Sequence, residues 1–234
     1  MKNIKIFSSV EEYENAKSEG LLITPNVSFI NESGGIKYLP KLEDPTHNGY
    51  KYVDLGLPSG LKWATCNVGA NSPEEYGLYF AWGETTGYTA DDVTSGVRLF
   101  TYDEYDKGPT ANIYTDLTLE QDAAHVNLGG NWRMPTQAEF QELIDNCNDT
   151  CTDDYNGTGV AGEVFTSKVN NNSIFFPYAG FCCDSSVNSI GVNGNIWSAS
   201  WESNIKAYYL YFDSYSFLDK YYRHCGYSVR AVCE

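Results

Sequence analysis

Cysteine and histidine are the residue types in this chain whose chemistry depends most on spacing. The three histidines lie far apart, at positions 47, 125 and 224, and no CxxC pair occurs among the seven cysteines. Zinc sites usually combine closely spaced pairs of these residues, so we expect no metal site and no cofactor. We expect mostly reduced, buried thiols that pack as small hydrophobic side chains, with one or two disulfides as the alternative. The cysteines are Cys66, Cys147, Cys151, Cys182, Cys183, Cys225 and Cys233.

Arg133 and Glu139 have the chemistry of an acid–base pair, but their positions favour a structural role. Thr136 precedes Glu139 by three residues, which is the spacing of a helix capping box. We therefore expect Glu139 to cap a helix and Arg133 to pair with a carboxylate and brace a loop. The sequence contains no GxSxG, HExxH or glycine-rich nucleotide motif, and no spacing singles out a catalytic pair among its 31 acidic residues.

The segment DDYNGTG at 153–159 is an oxygen-rich turn of the kind that can bind calcium. We expect a solvated acidic loop there, with weak ion binding as the alternative.

Charge and hydropathy exclude several classes of partner. Fifteen basic and 31 acidic residues give a net charge of −16, which repels the phosphate backbone, so we expect no nucleic-acid partner. No apolar run approaches the ~18 residues of a membrane-spanning helix. The N-terminal residues lack the apolar core of a secretory signal, so we expect no signal peptide and no membrane association. The 42% hydrophobic content and 21 glycines indicate a globular, turn-rich protein.

The pattern changes near residue 44. Within 1–44, Ser9 and Gly20 are predicted to begin and end a short helix, and a hairpin is predicted around the turn at 32–35. So small a unit buries little by itself, so we expect it to attach the main domain to a carrier or to build a homo-oligomer. Residues 45–234 alternate short apolar runs with turns and contain two predicted helices, one opened by Thr118 and closed by Gly129, the other opened by Thr136.

The C-terminal tract from Trp197 to Glu234 is unusually rich in tyrosine. Within it, the period of two in AYYLYFDS divides the residues between a core side and an exposed side. The core side is predicted to hold Tyr208, Leu210 and Phe212, and the exposed side Tyr209, Tyr211 and Asp213. A binding surface is one interpretation, because tyrosine offers large, stiff contact area. The other is a sheet whose tyrosines are half-buried at its rim.

Five separated motifs carry a family resemblance. They are GGNWRMPTQAEFQEL (129–143), VDLGLPSGLKWATCNVGA (53–70), YGLYFAWGET (76–85), WSAS (197–200) and GYSVRAV (226–232). Residues 50–234 resemble the formylglycine-generating-enzyme branch of the C-type lectin-like fold, in particular the major paralogous domain of Bacteroidetes and their phages. Several members of that family are variable proteins of diversity-generating retroelements.

The resemblance implies an α+β protein with a C-type lectin-like fold: small mixed β-sheets, two helices and long loops, plus the short N-terminal helix and hairpin. It implies a variable region at about 196–227 that forms an exposed ligand-binding face. The calcium-binding tripeptides of sugar-binding C-type lectins are absent. The predicted binding residues are Trp201, Glu202, Asn204, Ile205, Lys206, Tyr209, Tyr211, Asp213, Tyr215, Phe217, Lys220, Tyr221, Tyr222, His224 and Cys225.

The function implied is non-enzymatic binding of an unknown protein or glycan ligand on a host cell surface, from a gut phage particle (virion) or a bacterial cell surface. Two alternatives stay open. One is an oxidase of the formylglycine-generating type that uses Cys225 and Cys233, and the other is an invariant structural subunit of a tail or fimbria.

Overall fold

The computed structural model describes residues 28–30, 36–38 and 44–234. The chain divides into two compact units, Met1–Asp44 and Pro45–Glu234. In the first unit, β1 (Ser28–Ile30) and β2 (Ile36–Tyr38) pair antiparallel, as expected for the predicted hairpin. The predicted helix after Ser9 and the turn at 32–35 lie outside the described residues.

The larger unit is mixed and strand-rich, which confirms the α+β class in this coarse sense. Its strands are β3 (Thr46–His47), β4 (Tyr50–Asp54), β5 (Lys62–Asn67), β6 (Cys147–Thr152), β7 (Gly162–Ser167), β8 (Ser173–Pro177), β9 (Phe181–Cys183), β10 (Ser186–Asn188), β11 (Gly194–Trp201), β12 (Lys206–Phe212), β13 (Ser216–Tyr222) and β14 (Arg230–Cys233). In residues 44–234 they form four small sheets, in the orders β14-β5-β4-β3, β6-β7-β8, β11-β12-β13 and β10-β9.

The helices in this range are short, and they outnumber the two predicted from the sequence. They are α1 (Ala90–Thr94), α2 (Tyr102–Asp106), α3 (Ala123–Leu128) and α4 (Gln137–Asn146), with 3-10 turns at Pro109–Asn112, Leu119–Gln121 and Tyr155–Gly157. The additional helices, α1 and α2, begin after the capping threonines Thr89 and Thr101.

The first predicted helix is broken, and the second forms as predicted. Asp122 interrupts the first, because its carboxylate accepts hydrogen bonds from the backbone of His125 and Met134 and so starts a new helix, α3. The second, α4, has the predicted capping box between Thr136 and Glu139. Arg133 pairs with Glu139 through its two terminal guanidinium nitrogens, at 2.6 and 2.8 Å, which confirms the predicted structural role of both residues.

The interior of the larger unit consists of aromatic and aliphatic side chains from every sheet. Four tryptophans, Trp63, Trp82, Trp132 and Trp197, are fully buried. The β11-β12-β13 sheet is covered on both sides: Leu210 packs in one core cluster with α4, and Tyr209 packs in another. No helix in the described part of the chain is long and apolar enough to cross a membrane.

Candidate ligand-binding surface

The strand register assigns each residue of the tyrosine-rich hairpin to one of two faces. Tyr211 pairs with Phe217 and Ala207 with Tyr221 on one face. Lys206 pairs with Tyr222 and Tyr208 with Lys220 on the other. We call the first the ring face, formed by Tyr211, Tyr215, Phe217 and Tyr221, and the second the lysine face, formed by Lys206, Lys220 and Tyr222. The predicted binding residues therefore do not form one continuous surface.

Tyr209 is a core residue, which corrects the prediction that it lies on the exposed side of β12. Its side chain is 5% exposed, and its ring contacts those of Trp197 and Tyr227 at centroid distances of 6.0 and 4.9 Å. Leu210 and Phe212 are buried as predicted, whereas Tyr208 is only half-buried. The prediction assumed that only one face of β12 is buried. β12 is the central strand of its sheet, however, and packs on both faces, as do strands whose sequences are continuous apolar runs.

Cys225 is also buried, so it too is wrong as a surface contact. Its side chain is 0% exposed, and its Sγ lies 3.8 Å from Sγ of Cys183. The predicted variable region at 196–227 thus mixes core and surface positions.

Exposed rings lie at the turn between β12 and β13 and at the start of β13. Tyr215 is 62% exposed and Phe217 37%, and their rings stack at 5.8 Å. Tyr211 stands beside Phe217 at 4.9 Å, and its hydroxyl donates to Asp213 Oδ2 at 2.9 Å.

Asp213 places a fixed negative charge beside these rings. Partial burial raises the pKa of its carboxyl, but hydrogen bonds from Tyr211 and from the backbone of Tyr215 and Ser214 outweigh this, and the net pKa is lowered. The carboxylate is therefore ionised at neutral pH. The ring face combines apolar area with an anion.

A second exposed group lies at the other end of the hairpin. Tyr222 is 42% exposed, its ring stacks on His224 at 5.6 Å, and Lys206 Nζ lies 5.3 Å from the ring centroid of Tyr222. The ring of Tyr102, a residue of α2, meets His224 edge-on at 6.2 Å. Burial lowers the pKa of His224, against an opposing effect of the Asp184 charge.

The loop between β11 and β12 borders this second group. Asn204 and Ile205 are exposed, and Ile205 keeps 47% of its surface accessible. Glu202 accepts from Lys220 Nζ at 3.1 Å. Trp201 is half-buried against the core, and its backbone nitrogen donates to Asp116.

Arg223 positions this loop, a role that the sequence does not predict. Its guanidinium is buried over the rings of Trp82 and Tyr105 and donates to the carbonyl oxygens of Thr110, Ile113 and Asn204 at 2.7, 2.9 and 3.1 Å. Arginine is rarely fully buried. Two of the three acceptors of Arg223 belong to residues more than 100 positions away in the chain. No local sequence signal therefore marks this role.

A groove of about 470 Å³ lies elsewhere, beside β4 and β5, and sequence reasoning did not find it either. Its polar lining is already bonded within the chain. Asn67 accepts from Arg230 and donates to the carbonyl of Tyr76, while Asn127 donates to the carbonyls of Thr85 and Ala123.

Potential metal donors converge at one point in the described part of the chain, at Cys183, His224 and Cys225. At the acidic turn of 153–159, Asp154 Oδ1 accepts from the backbone nitrogen of Gly159 at 2.6 Å, so this oxygen closes the turn. Ion binding at that turn stays a prediction.

Comparison with protein-family models, with curated proteins and with solved structures finds no match to this chain.

Proposed function

We propose that this chain is a non-enzymatic binding protein of C-type lectin-like fold, which recognises a protein or glycan on a host cell surface through the exposed side chains of residues 201–224. The observation that carries the proposal is the exposure of large apolar side chains around a hairpin whose central strand, β12, packs into the core. Tyr215 and Phe217 on the ring face, and Ile205 and Tyr222 at the other end of the hairpin, are each more than a third exposed, while Leu210 and Phe212 of β12 are 0% exposed. Grouped exposed apolar side chains, unlike single scattered ones, usually mark interaction surfaces.

These side chains suit a ligand that binds against an exposed surface rather than inside a pocket. The rings of Tyr211, Tyr215 and Phe217 support one another in a stack, so little side-chain entropy remains to be lost when a ligand binds. Asp213 on one side and Lys206 and Lys220 on the other provide polar groups of both signs around the hairpin. These charges give orientation and specificity to a contact whose area is mainly aromatic.

Burial removes some of the predicted binding residues from the surface that a ligand can contact. Tyr209 and Cys225 belong to the core, and Trp201 and Tyr221 are half-buried. The ligand therefore meets the ring face first, with Glu202, Asn204, Ile205, Lys206, Lys220, Tyr222 and His224 forming a second contact area at the opposite end.

A binding screen tests this function. The full chain, fluorescently labelled, is applied to a glycan array and to intact gut bacteria. The double variant Tyr215→Ala/Phe217→Ala is the test protein, and Tyr50→Ala, which removes a 41%-exposed tyrosine from β4, is the matched control. We expect binding to be lost in the double variant and kept in the control. Equal binding by all three proteins would refute the ring face as the site.

The setting we propose is a phage particle or a bacterial surface, with the tract diversified by a retroelement. Support comes from the five motifs in family order and from the residue types at Asp213, Tyr215, Phe217, Tyr222 and His224, which adenine replacement in asparagine codons produces. The DNA tests this part separately. A near-copy of the 3′ end of the gene that differs only at adenines, followed by a reverse transcriptase gene, is the expected arrangement, and its absence would leave a static binding domain.

The oxidase alternative is disfavoured by the state of its two thiols. Burial raises the pKa of Cys225, and burial likewise raises that of Cys233, whereas a reactive cysteine needs a lowered pKa and access to substrate. Loss of copper- or thiol-dependent turnover on Cys225→Ser and Cys233→Ser would restore that alternative.

A further inference from the structure

We propose that Cys183, His224 and Cys225 form a Zn²⁺ site, which goes beyond the proposed binding function and does not depend on it. The sequence contains no closely spaced pairs of metal ligands and therefore predicts no metal site. The fold brings these three residues together across 42 positions of the chain.

The donor geometry fits zinc. One ligand atom from each residue lies within 4.8 Å of the others, and the two sulfur atoms are 3.8 Å apart. Two thiolates bound to one tetrahedral Zn²⁺ at about 2.3 Å each are separated by about 3.8 Å. A disulfide needs the sulfurs about 2.05 Å apart, so the observed spacing fits a shared metal ion better than a covalent bond. Two thiolates and an imidazole are also a typical donor set for this ion.

The backbone holds the two ligand segments in place without the ion. Cys182 and Gly226 exchange backbone hydrogen bonds at 2.7 and 2.9 Å, one residue away from Cys183 and Cys225 respectively. A preformed site binds metal without a large ordering cost, because the ligand segments are already fixed.

Charge and access also favour a cation. Asp184 interacts electrostatically with both His224 and Cys225, and its negative charge favours a nearby cation. Cys225 is buried, while Cys183 and His224 are half-exposed, so the ion would be reached from the solvent side. Three protein ligands leave the fourth position to a water molecule. Binding displaces the two thiol protons into solvent.

The bound ion would fix the second aromatic group. His224 stacks with Tyr222 and meets Tyr102, so holding its imidazole also holds the rings around it.

The test uses the full chain, reduced and stripped of metal. Zn²⁺ is titrated in competition with a chromophoric chelator, and bound metal is counted by elemental mass spectrometry. We expect one Zn²⁺ per chain. Co²⁺ in its place should give the thiolate-to-metal charge-transfer absorption of a tetrahedral site.

Cys183→Ser and His224→Ala are the test variants, because both residues are partly exposed and neither is one of the buried core residues. Each should weaken Zn²⁺ binding by about 100-fold or more, since loss of a group that only orients a ligand already costs roughly 10- to 100-fold. Cys151→Ser, at an exposed cysteine outside the cluster, should bind like the wild type.

Three results would overturn the site: no stoichiometric Zn²⁺, unchanged affinity in either test variant, or a native Cys183–Cys225 disulfide in non-reducing peptide mapping. Circular dichroism confirms that each variant is folded, and the two test variants report on the site independently of each other.

Discussion

Tyr209 and Tyr215 belong to the same tract and have the same side chain, yet Tyr209 is a core residue and Tyr215 a surface residue. Tyr209 packs among Trp197, Tyr221 and Tyr227, and burial raises its pKa. Tyr215 lies on the turn and is the most exposed aromatic residue of the hairpin. The difference follows from position in the sheet, because a central strand is covered on both faces and a turn on neither.

Alanine substitutions separate the two roles. Tyr209→Ala should lower the free energy of unfolding by about 3–5 kcal/mol, because it leaves a cavity in the core. Tyr215→Ala should change it by no more than about 0.5 kcal/mol, as for most surface positions. Urea unfolding of both variants provides the measurement. Similar losses in the two variants would contradict the assignment of Tyr209 to the core.

Between elements, a buried carboxyl links the β6-β7-β8 sheet to the hairpin turn. The hydroxyl of Tyr178, just after β8, contacts the carbonyl oxygen of Asp213 and, at 2.8 Å, the carboxyl of Glu163 on β7. The tyrosine hydroxyl has one proton to donate, and the carbonyl oxygen of Asp213 can only accept, so that proton goes to the carbonyl. The contact with Glu163 is then best satisfied when the carboxyl is protonated and donates to the hydroxyl oxygen. Burial, with smaller contributions from the negative charges of Asp149 and Asp213, raises the pKa of Glu163 to about 7.

This carboxyl makes stability depend on pH. The folded-state pKa of Glu163 lies above the unfolded value of 4.5. The stability that this carboxyl contributes is therefore complete below pH 4.5 and is lost as the pH rises through about 7. Glu163→Gln keeps a donor for the tyrosine hydroxyl but cannot ionise. Relative to this variant, the wild type should therefore lose stability between about pH 5 and pH 8. Denaturant titrations across this range would contradict the account if the two proteins changed in parallel.

At the scale of the whole molecule, the sequence predicted what depends on local pattern. The capping box of Thr136 and Glu139 and the burial of Leu210 and Phe212 required only short-range information. Long-range packing could not be predicted in the same way. Asp122 breaks a helix because its carboxylate accepts from the backbone of Met134, and Tyr209 of β12 is not exposed as expected because Trp197 and Tyr227 cover it.

The candidate binding surface was likewise predicted only where local pattern is sufficient. The tract and its exposed turn were found from composition. The division into two faces, the core position of Tyr209 and the buried Arg223 depend on register and on partners far away in the chain. The meeting of Cys183 with His224 and Cys225 is likewise a product of the fold.

The described core belongs entirely to the larger unit. Its three clusters draw on residues between Tyr52 and Cys233. A chain truncated to 45–234 should therefore unfold cooperatively, with a midpoint within about 4 °C of the full chain, the shift that about 1 kcal/mol produces in a domain of this size. Differential scanning calorimetry measures this, and the absence of a cooperative transition would contradict it.

Light scattering on the same two proteins tests the predicted role of 1–44 in oligomer formation. The full chain should be the larger assembly and the truncated chain a monomer.

Deep sequencing of this gene and its near-identical copies from a bacterial or phage community tests the central claim most directly. If the tract is a recognition surface on an invariant scaffold, amino-acid changes should concentrate at Asn204, Ile205, Tyr215, Phe217, Lys220 and Tyr222 and should spare Tyr209, Leu210, Phe212 and Arg223. Copies with an identical tract, or with changes equally frequent at the buried positions, would contradict it.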